Sequence, residues 1–144
     1  MKIHLSIFLF VLLCLGGCKT NKNAISSDAL PLQDTHWDLV AIEGQKLNIP
    51  NKKVQPQPYI VFDTLGRFNG NLGCNIFFGS YYQKKQKIEL QYDGATKRLC
   101  PNMDIEKAVL GAIKKDINNF TIEGKNLTLY SGKKEIMKFE GKER

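Results

Sequence analysis

The chain has 144 residues, 42% of them hydrophobic and 24% charged, with 21 basic and 14 acidic side chains and a formal net charge of +7. The length suits a single domain, the composition is ordinary for a globular protein, and without a second long apolar run nothing after the start of the chain is expected to span a membrane. A basic balance would suit nucleic acid in a cytoplasmic protein, but the start of the chain points elsewhere.

Residues 1–17 read as an export signal. Lys2 supplies the positive start, and residues 3–15 are apolar apart from His4 and Ser6. That run is too short to span a bilayer and suits the hydrophobic stretch of a signal peptide. It closes on Leu15-Gly16-Gly17-Cys18, which resembles the bacterial lipobox: an aliphatic residue, two small residues that pass through a narrow peptidase cleft, and a cysteine whose thiolate takes diacylglycerol. The resemblance implies cleavage before Cys18 and lipid attachment there, and two or three acyl chains anchor where one does not. Lys19 stands where an aspartate would retain a lipoprotein in the inner membrane, so the expected location is the cell envelope, most simply the outer membrane. Export removes nucleic acid from the expected partners. It leaves the membrane, an anionic wall polymer, or a solvated lysine-rich surface to account for the charge.

Residues 18–35 read as lipidated cysteine plus flexible tether, because residues 19–28 lack an apolar period. The domain is expected over 36–144. Strand signals come next, in order. His36–Ile42 sets Trp37, Leu39 and Ala41 on one side. Tyr59–Phe62 is a compact apolar run, and Asp63-Thr64-Leu65-Gly66 reads as a turn into Arg67-Phe68. Residues 77–82 are aromatic and strand-like. Ile88, Leu90 and Tyr92 alternate with polar neighbours, so one face is buried and one wet. Asp93-Gly94 reads as a turn. Phe120/Ile122, Leu127/Leu129 and Met137/Phe139 alternate across Gly124-Lys125-Asn126 and Ser131-Gly132-Lys133.

One segment has a different period. Ile105, Ala108, Val109, Ala112 and Ile113 form a helical stripe, with Asn102 as N-cap, Asp104 and Glu106 at the positive end of the dipole and Lys114 and Lys115 at the negative end. The expected class is mainly β: a small antiparallel, partly closed barrel of about eight strands with one inserted α-helix covering an open edge or end.

Across residues 58–81, Phe62, Gly66-Arg67-Phe68, Gly70, Gly73-Cys74-Asn75, Phe77, Gly79 and Tyr81 resemble the central signature of the META domain family, the HslJ-like bacterial lipoproteins. Trp37-Asp38-Leu39 with Gly44 resembles the family's opening strand. Thr96 and Cys100 resemble its second motif. Met103 and Glu106 resemble the stretch just C-terminal to that motif, and Leu127-Thr128-Leu129 resembles the closing hairpin. A polar insert at 50–57 departs from the pattern and suggests a longer first loop. The resemblance implies a compact barrel with lipocalin-like outline, an envelope location, and links to stress tolerance, drug resistance and secretion without an agreed biochemical activity. Trp37, Phe62, Gly70, Gly73, Asn75, Gly79, Tyr81, Thr96 and Glu106 enter as structural motif residues.

Cys74 and Cys100 are an even pair in an oxidising compartment, which allows a disulfide or two buried thiols. No Cys-x-x-Cys is present, so a redox centre is not expected. A zinc site or a Ser-His-Asp triad needs histidines, and after the signal only His36 remains, expected to face solvent. No catalytic residue, metal or cofactor is expected. Gly70-Asn71-Leu72-Gly73 lacks the strand–loop–helix context of a phosphate loop, and its glycines suit bulges and close bends. Phe77, Phe78, Tyr81 and Tyr82 span both faces of one strand, as core and rim or as an apolar pocket or partner surface. Glu106 reads as a partner of the helix dipole. The functional expectation is a monomeric, non-enzymatic accessory lipoprotein that binds an envelope protein. The alternative is a carrier of a small apolar ligand in the barrel mouth.

Overall fold

The computed structural model describes residues 28–49, 55–101 and 103–142. Among them are nine strands and one helix: β1 (His36–Ile42), β2 (Gln45–Lys46), β3 (Tyr59–Phe62), β4 (Arg67–Asn71), β5 (Ile76–Lys84), β6 (Lys87–Ala95), α1 (Asp104–Ile113), β7 (Asn119–Glu123), β8 (Asn126–Ser131) and β9 (Lys134–Lys142). All named strand pairings are antiparallel, and β1 pairs with β9 as well as with β3, so the sheet closes into a ring. The mainly β, partly closed architecture with one inserted helix is therefore what the chain adopts, with β2 as a two-residue arm beside the end of β1. Among the described residues no helix is long and apolar enough to cross a membrane.

Strand alternation sends the apolar set inward. Trp37, Leu39, Ile60, Phe62, Phe68, Phe77, Ile88, Leu127, Leu129 and Phe139 are buried. Aromatic rings fill much of the interior: Phe62 meets Phe68 at 6.2 Å and Tyr81 at 5.0 Å between centroids, and Phe68 meets Phe77 at 5.8 Å. Two glycines make room for them. Gly70 pairs with Phe77, and Gly79 pairs with Phe68. A Cβ at Gly70 would stand 2.6 Å from the Phe77 ring, and one at Gly79 would strike the Phe68 ring and the Gln91 carbonyl. Each ring occupies the space its partner glycine leaves empty.

Five local readings are corrected. Asp93-Gly94 is no turn: Gly79 pairs with Tyr92 and Phe78 with Gly94, so Asp93 is the extra residue of a β-bulge inside β6. The folded unit also begins before residue 36. Leu30 N–H donates to the Gly124 carbonyl at 3.0 Å, Asp34 N–H to the Phe62 carbonyl at 2.8 Å, and the Trp37 indole to the Leu32 carbonyl at 2.9 Å. Leu32 and Thr35 are buried, so residues 30–35 lie across one end of the ring as part of the domain. His36 does not simply face solvent: it is half-buried, 3.0 Å from the Asp38 carboxylate, with its ring 4.2 Å from that of Tyr59. In α1 the buried side chains are Glu106, Val109, Ala112 and Ile113, while Ala108 is exposed. The helix is rotated so that a carboxylate enters the core-facing stripe. Its N-cap position is Met103, without a side-chain cap bond. Asn102 lies outside the described residues, as does most of the 50–57 insert, although Gln55 is buried and the Gln57 amide donates to the Leu39 carbonyl.

The ring has a weak seam. β6 and β7 share one residue pair, Lys87 with Asn119. Beyond it the helix and the link to β7 turn apolar side chains inward, with Val109, Ile113 and Ile117 buried and Lys114 Nζ 4.6 Å from the centre of the Tyr92 ring. Glu43, in the β1–β2 turn, accepts from Lys115 and Lys134, both at 2.6 Å. It thereby joins the end of the helix to the β8–β9 turn.

Gly79→Ala is expected to destabilise the fold by about 1–3 kcal/mol through overpacking against Phe68, read from the midpoint of denaturant unfolding. The lysine contacts hold the Glu43 carboxyl down at about 2, below its usual 4.5. A lowered folded-state pKa gives stability that is complete above 4.5 and lost as pH falls toward 2. The melting-temperature gap between wild type and Glu43→Gln should be constant above about pH 5 and close toward pH 2.

Candidate functional site

The tight turn between β4 and β5 places Asn75 under the helix. Asn71 Oδ1 accepts the Gly73 N–H at 2.6 Å, and Leu72 N–H donates to the Asn75 carbonyl at 2.8 Å. Gly73 has φ +105°, a backbone state side chains resist, and Ile105 of the helix would lie 3.3 Å from a Cβ there. The turn is therefore closed tightly enough for α1 to pack directly on it.

Asn75 is buried and uses both ends of its amide. Its Oδ1 accepts from the Thr96 hydroxyl and from the Arg98 N–H, each at 2.7 Å. Its Nδ2 donates to the Arg98 carbonyl at 3.0 Å and to Glu106 Oε1 at 2.9 Å. The Asn75 backbone N–H donates to Glu106 Oε2 at 2.8 Å. The Thr96 hydroxyl in turn accepts the Ile76 N–H at 3.2 Å. A carboxylate in place of the amide would lose the donors and face Glu106 with like charge, so the position requires asparagine.

Beside this network Cys74 and Cys100 form a disulfide with a Cα–Cα distance of 6.3 Å. It closes a 26-residue separation, worth roughly 3–4 kcal/mol by chain-entropy reasoning. Arg98 and Cys100 flank Leu99, so the loop after β6 is held at two points although it has no secondary structure of its own.

The structure thus brings together six of the residues singled out in the sequence: Gly73, Cys74, Asn75, Thr96, Cys100 and Glu106. The others lie elsewhere. Trp37, Phe62, Gly70 and Gly79 belong to the packed wall and interior. The Tyr81 hydroxyl, whose burial pushes its pKa up, donates to the Asp63 carbonyl at 2.6 Å and accepts from Gln33 at 3.2 Å near the opposite end. Cys18 lies outside the described residues. Glu106 does sit in the first helical turn, as its reading as a dipole partner requires, but its specific work is to receive Asn75. One signal for this was present: Glu106, Val109, Leu110 and Ile113 have the spacing of a single helix face. Gln33 gave no such signal, because its partners Tyr81 and Gln83 are far along the chain.

Chemically this arrangement is a satisfied polar cluster. Its groups bond to one another and present no nucleophile beside a base. Among the described residues no three of His, Cys, Asp and Glu gather as metal ligands. A shallow groove of about 570 Å³ lies apart from it, between Tyr81, Tyr82, Glu89 and Gln91 on one side and Lys115 to Asn118 on the other.

The META domain model matches residues 30–144. The chain belongs to the META domain family. The match starts at Leu30, whose N–H bonds the Gly124 carbonyl. No curated protein matches the chain. Among solved structures, this META-family chain is similar to the NMR structure of a protein from Burkholderia xenovorans, with 24% identity, TM-score 0.62, and coverage of 78% of this chain and 85% of that one. A second NMR structure has 20% identity, TM-score 0.54, and coverage of 76% and 90%. The crystal structure of a DUF4847-family protein from Bacteroides vulgatus has 14% identity, TM-score 0.55, and coverage of 76% and 93%. At these identities the likeness is one of fold.

Asn75→Ala would leave the Glu106 carboxylate buried without its amide donors and release Arg98. The expected loss is about 3 kcal/mol, measured by denaturant unfolding with the disulfide intact. A loss below about 0.5 kcal/mol, the range of an ordinary surface change, would contradict this account of the network.

Proposed function

We propose that the protein is held on an envelope membrane, the outer membrane by the Lys19 criterion, through lipid at Cys18. Its META domain then acts there as a monomeric, non-catalytic accessory module in stress tolerance or secretion, binding an envelope protein. The observation that carries this reading is the Leu15-Gly16-Gly17-Cys18 string behind an apolar run, joined by a short connection to a META domain. The domain contributes a preorganised surface rather than a reactive one: the polar cluster at Asn75 is satisfied, and its disulfide and amide bonds stiffen an exposed loop.

The carrier alternative finds less support. Trp37, Phe62, Phe68, Phe77 and Phe139 are fully buried and occupy the interior where an apolar ligand would sit. The groove beside Lys115 is open and lined largely by polar residues.

Protein purified from producing cells in detergent tests both points by intact mass under native and then denaturing conditions. The expected result is a chain starting at Cys18 with two or three acyl chains covalently attached, and no further mass lost on denaturation. An unmodified Cys18 would overturn the anchor, and a discrete mass released on denaturation would establish a ligand in place of the accessory role.

A further inference from the structure

Five large apolar side chains are exposed among the described residues: Leu65 (74%), Ile76 (53%), Phe78 (49%), Tyr82 (63%) and Leu99 (97%). All five lie on one side of the ring. Ile76, Phe78 and Tyr82 share the outward face of β5. Leu65 is in the β3–β4 turn, whose Gly66 carbonyl accepts the Tyr81 N–H. Leu99 lies three residues past Thr96, whose N–H pairs with the Ile76 carbonyl. The exposed residues of β8 and β9, Asn126, Lys134, Glu140 and Lys142, are polar or charged.

We propose that this β5 face docks on an anionic lipid surface. Three observations select a bilayer. First, the apolar groups form a sparse line along a strand of nine residues, about 30 Å long, instead of a compact pocket for a protein side chain. Second, cations accompany the line. Lys84 continues the outward row of β5, Lys87 stands opposite it, and Lys97 and Arg98 are exposed beside Leu99. Aromatic and aliphatic tips with flanking cations suit the headgroup region of anionic lipid. Third, Asp28 follows Cys18 by ten positions, a reach of at most about 35 Å, which is enough for the ring to lie on its side. The choice of a bilayer as the surface within reach rests on the lipid-anchored reading above. Leu99 is presented rigidly, because Asn75 holds both backbone polar groups of Arg98 and the disulfide holds Cys100.

The test uses the mature chain 18–144 with Cys18→Ser, so that no lipid supplies the attachment. Co-sedimentation is measured with vesicles of equal parts phosphatidylglycerol and phosphatidylcholine, and with phosphatidylcholine alone. Binding is expected to the anionic vesicles and to fall with salt. It should weaken about tenfold in the Phe78→Ser, Leu99→Ser double variant and about fivefold for each of Lys97→Gln and Arg98→Gln, with melting temperatures unchanged. Should Phe78→Ser disturb the fold, Tyr82→Ser with Leu99→Ser tests the same line. Absence of binding to anionic vesicles, or equal binding by the variants, overturns the proposal. So does a dimer of the parent that the same variants convert to monomer, since the face would then be covered by a second copy. Because this chain carries no lipid, a negative result leaves the anchor standing, and an unmodified Cys18 in cells leaves the vesicle result standing.

Discussion

The bond from the Asn75 amide to the Glu106 carboxylate holds the helix onto the ring. Between β6 and β7 the sheet is joined by the single pair Lys87 and Asn119, and a ring left open there would expose both the edge of β6 and the side chains behind it. The chain just after the helix faces that opening, with Lys114 Nζ 4.6 Å from the centre of the Tyr92 ring, and the position of the helix is set where Glu106 receives the backbone and side-chain N–H groups of Asn75. Because these groups are buried, the arrangement tolerates only small displacements: a carboxylate moved away from its donors would remain desolvated without compensation.

The same asparagine governs a surface. Its remaining bonds fix Thr96 and Arg98, and the neighbouring disulfide fixes Cys100. A loop that would otherwise sample many shapes keeps one, and the entropy of ordering it is met by the core rather than by whatever it touches. Core and surface chemistry are in this way two outcomes of one turn, the tight β4–β5 connection that Gly73 permits.

The interior obeys a second constraint, the exchange of volume between rings and glycines. Phe68 over Gly79 and Phe77 over Gly70 let a narrow ring hold large aromatics at close-packed density. With Trp37, Phe62 and Phe139 added, the space of a ligand chamber is taken up by side chains. These glycines and aromatics thus read as two halves of a packing pair.

Much of this was legible in the sequence alone. Alternation placed Trp37, Leu39, Ile88, Leu127, Leu129, Met137 and Phe139 inside, the 3.6-residue period located the helix, and the Gly-Cys-Asn string identified the family, because each of these signals is local and repeats along the chain. What the sequence could not decide depends on partners distant in the chain. Asp93-Gly94 has the composition of a turn, and only its pairing with β5 makes it a bulge. Residues 30–35 have the composition of a tether, and only Phe62, Gly124 and the Trp37 indole make them part of the domain. Glu106 has the composition of a dipole partner, and only Asn75, 31 positions earlier, draws it into the core. Hydrogen bonds and ring-to-glycine contacts between such residues are fixed by register and closure, which are properties of the assembled sheet and not of any segment within it.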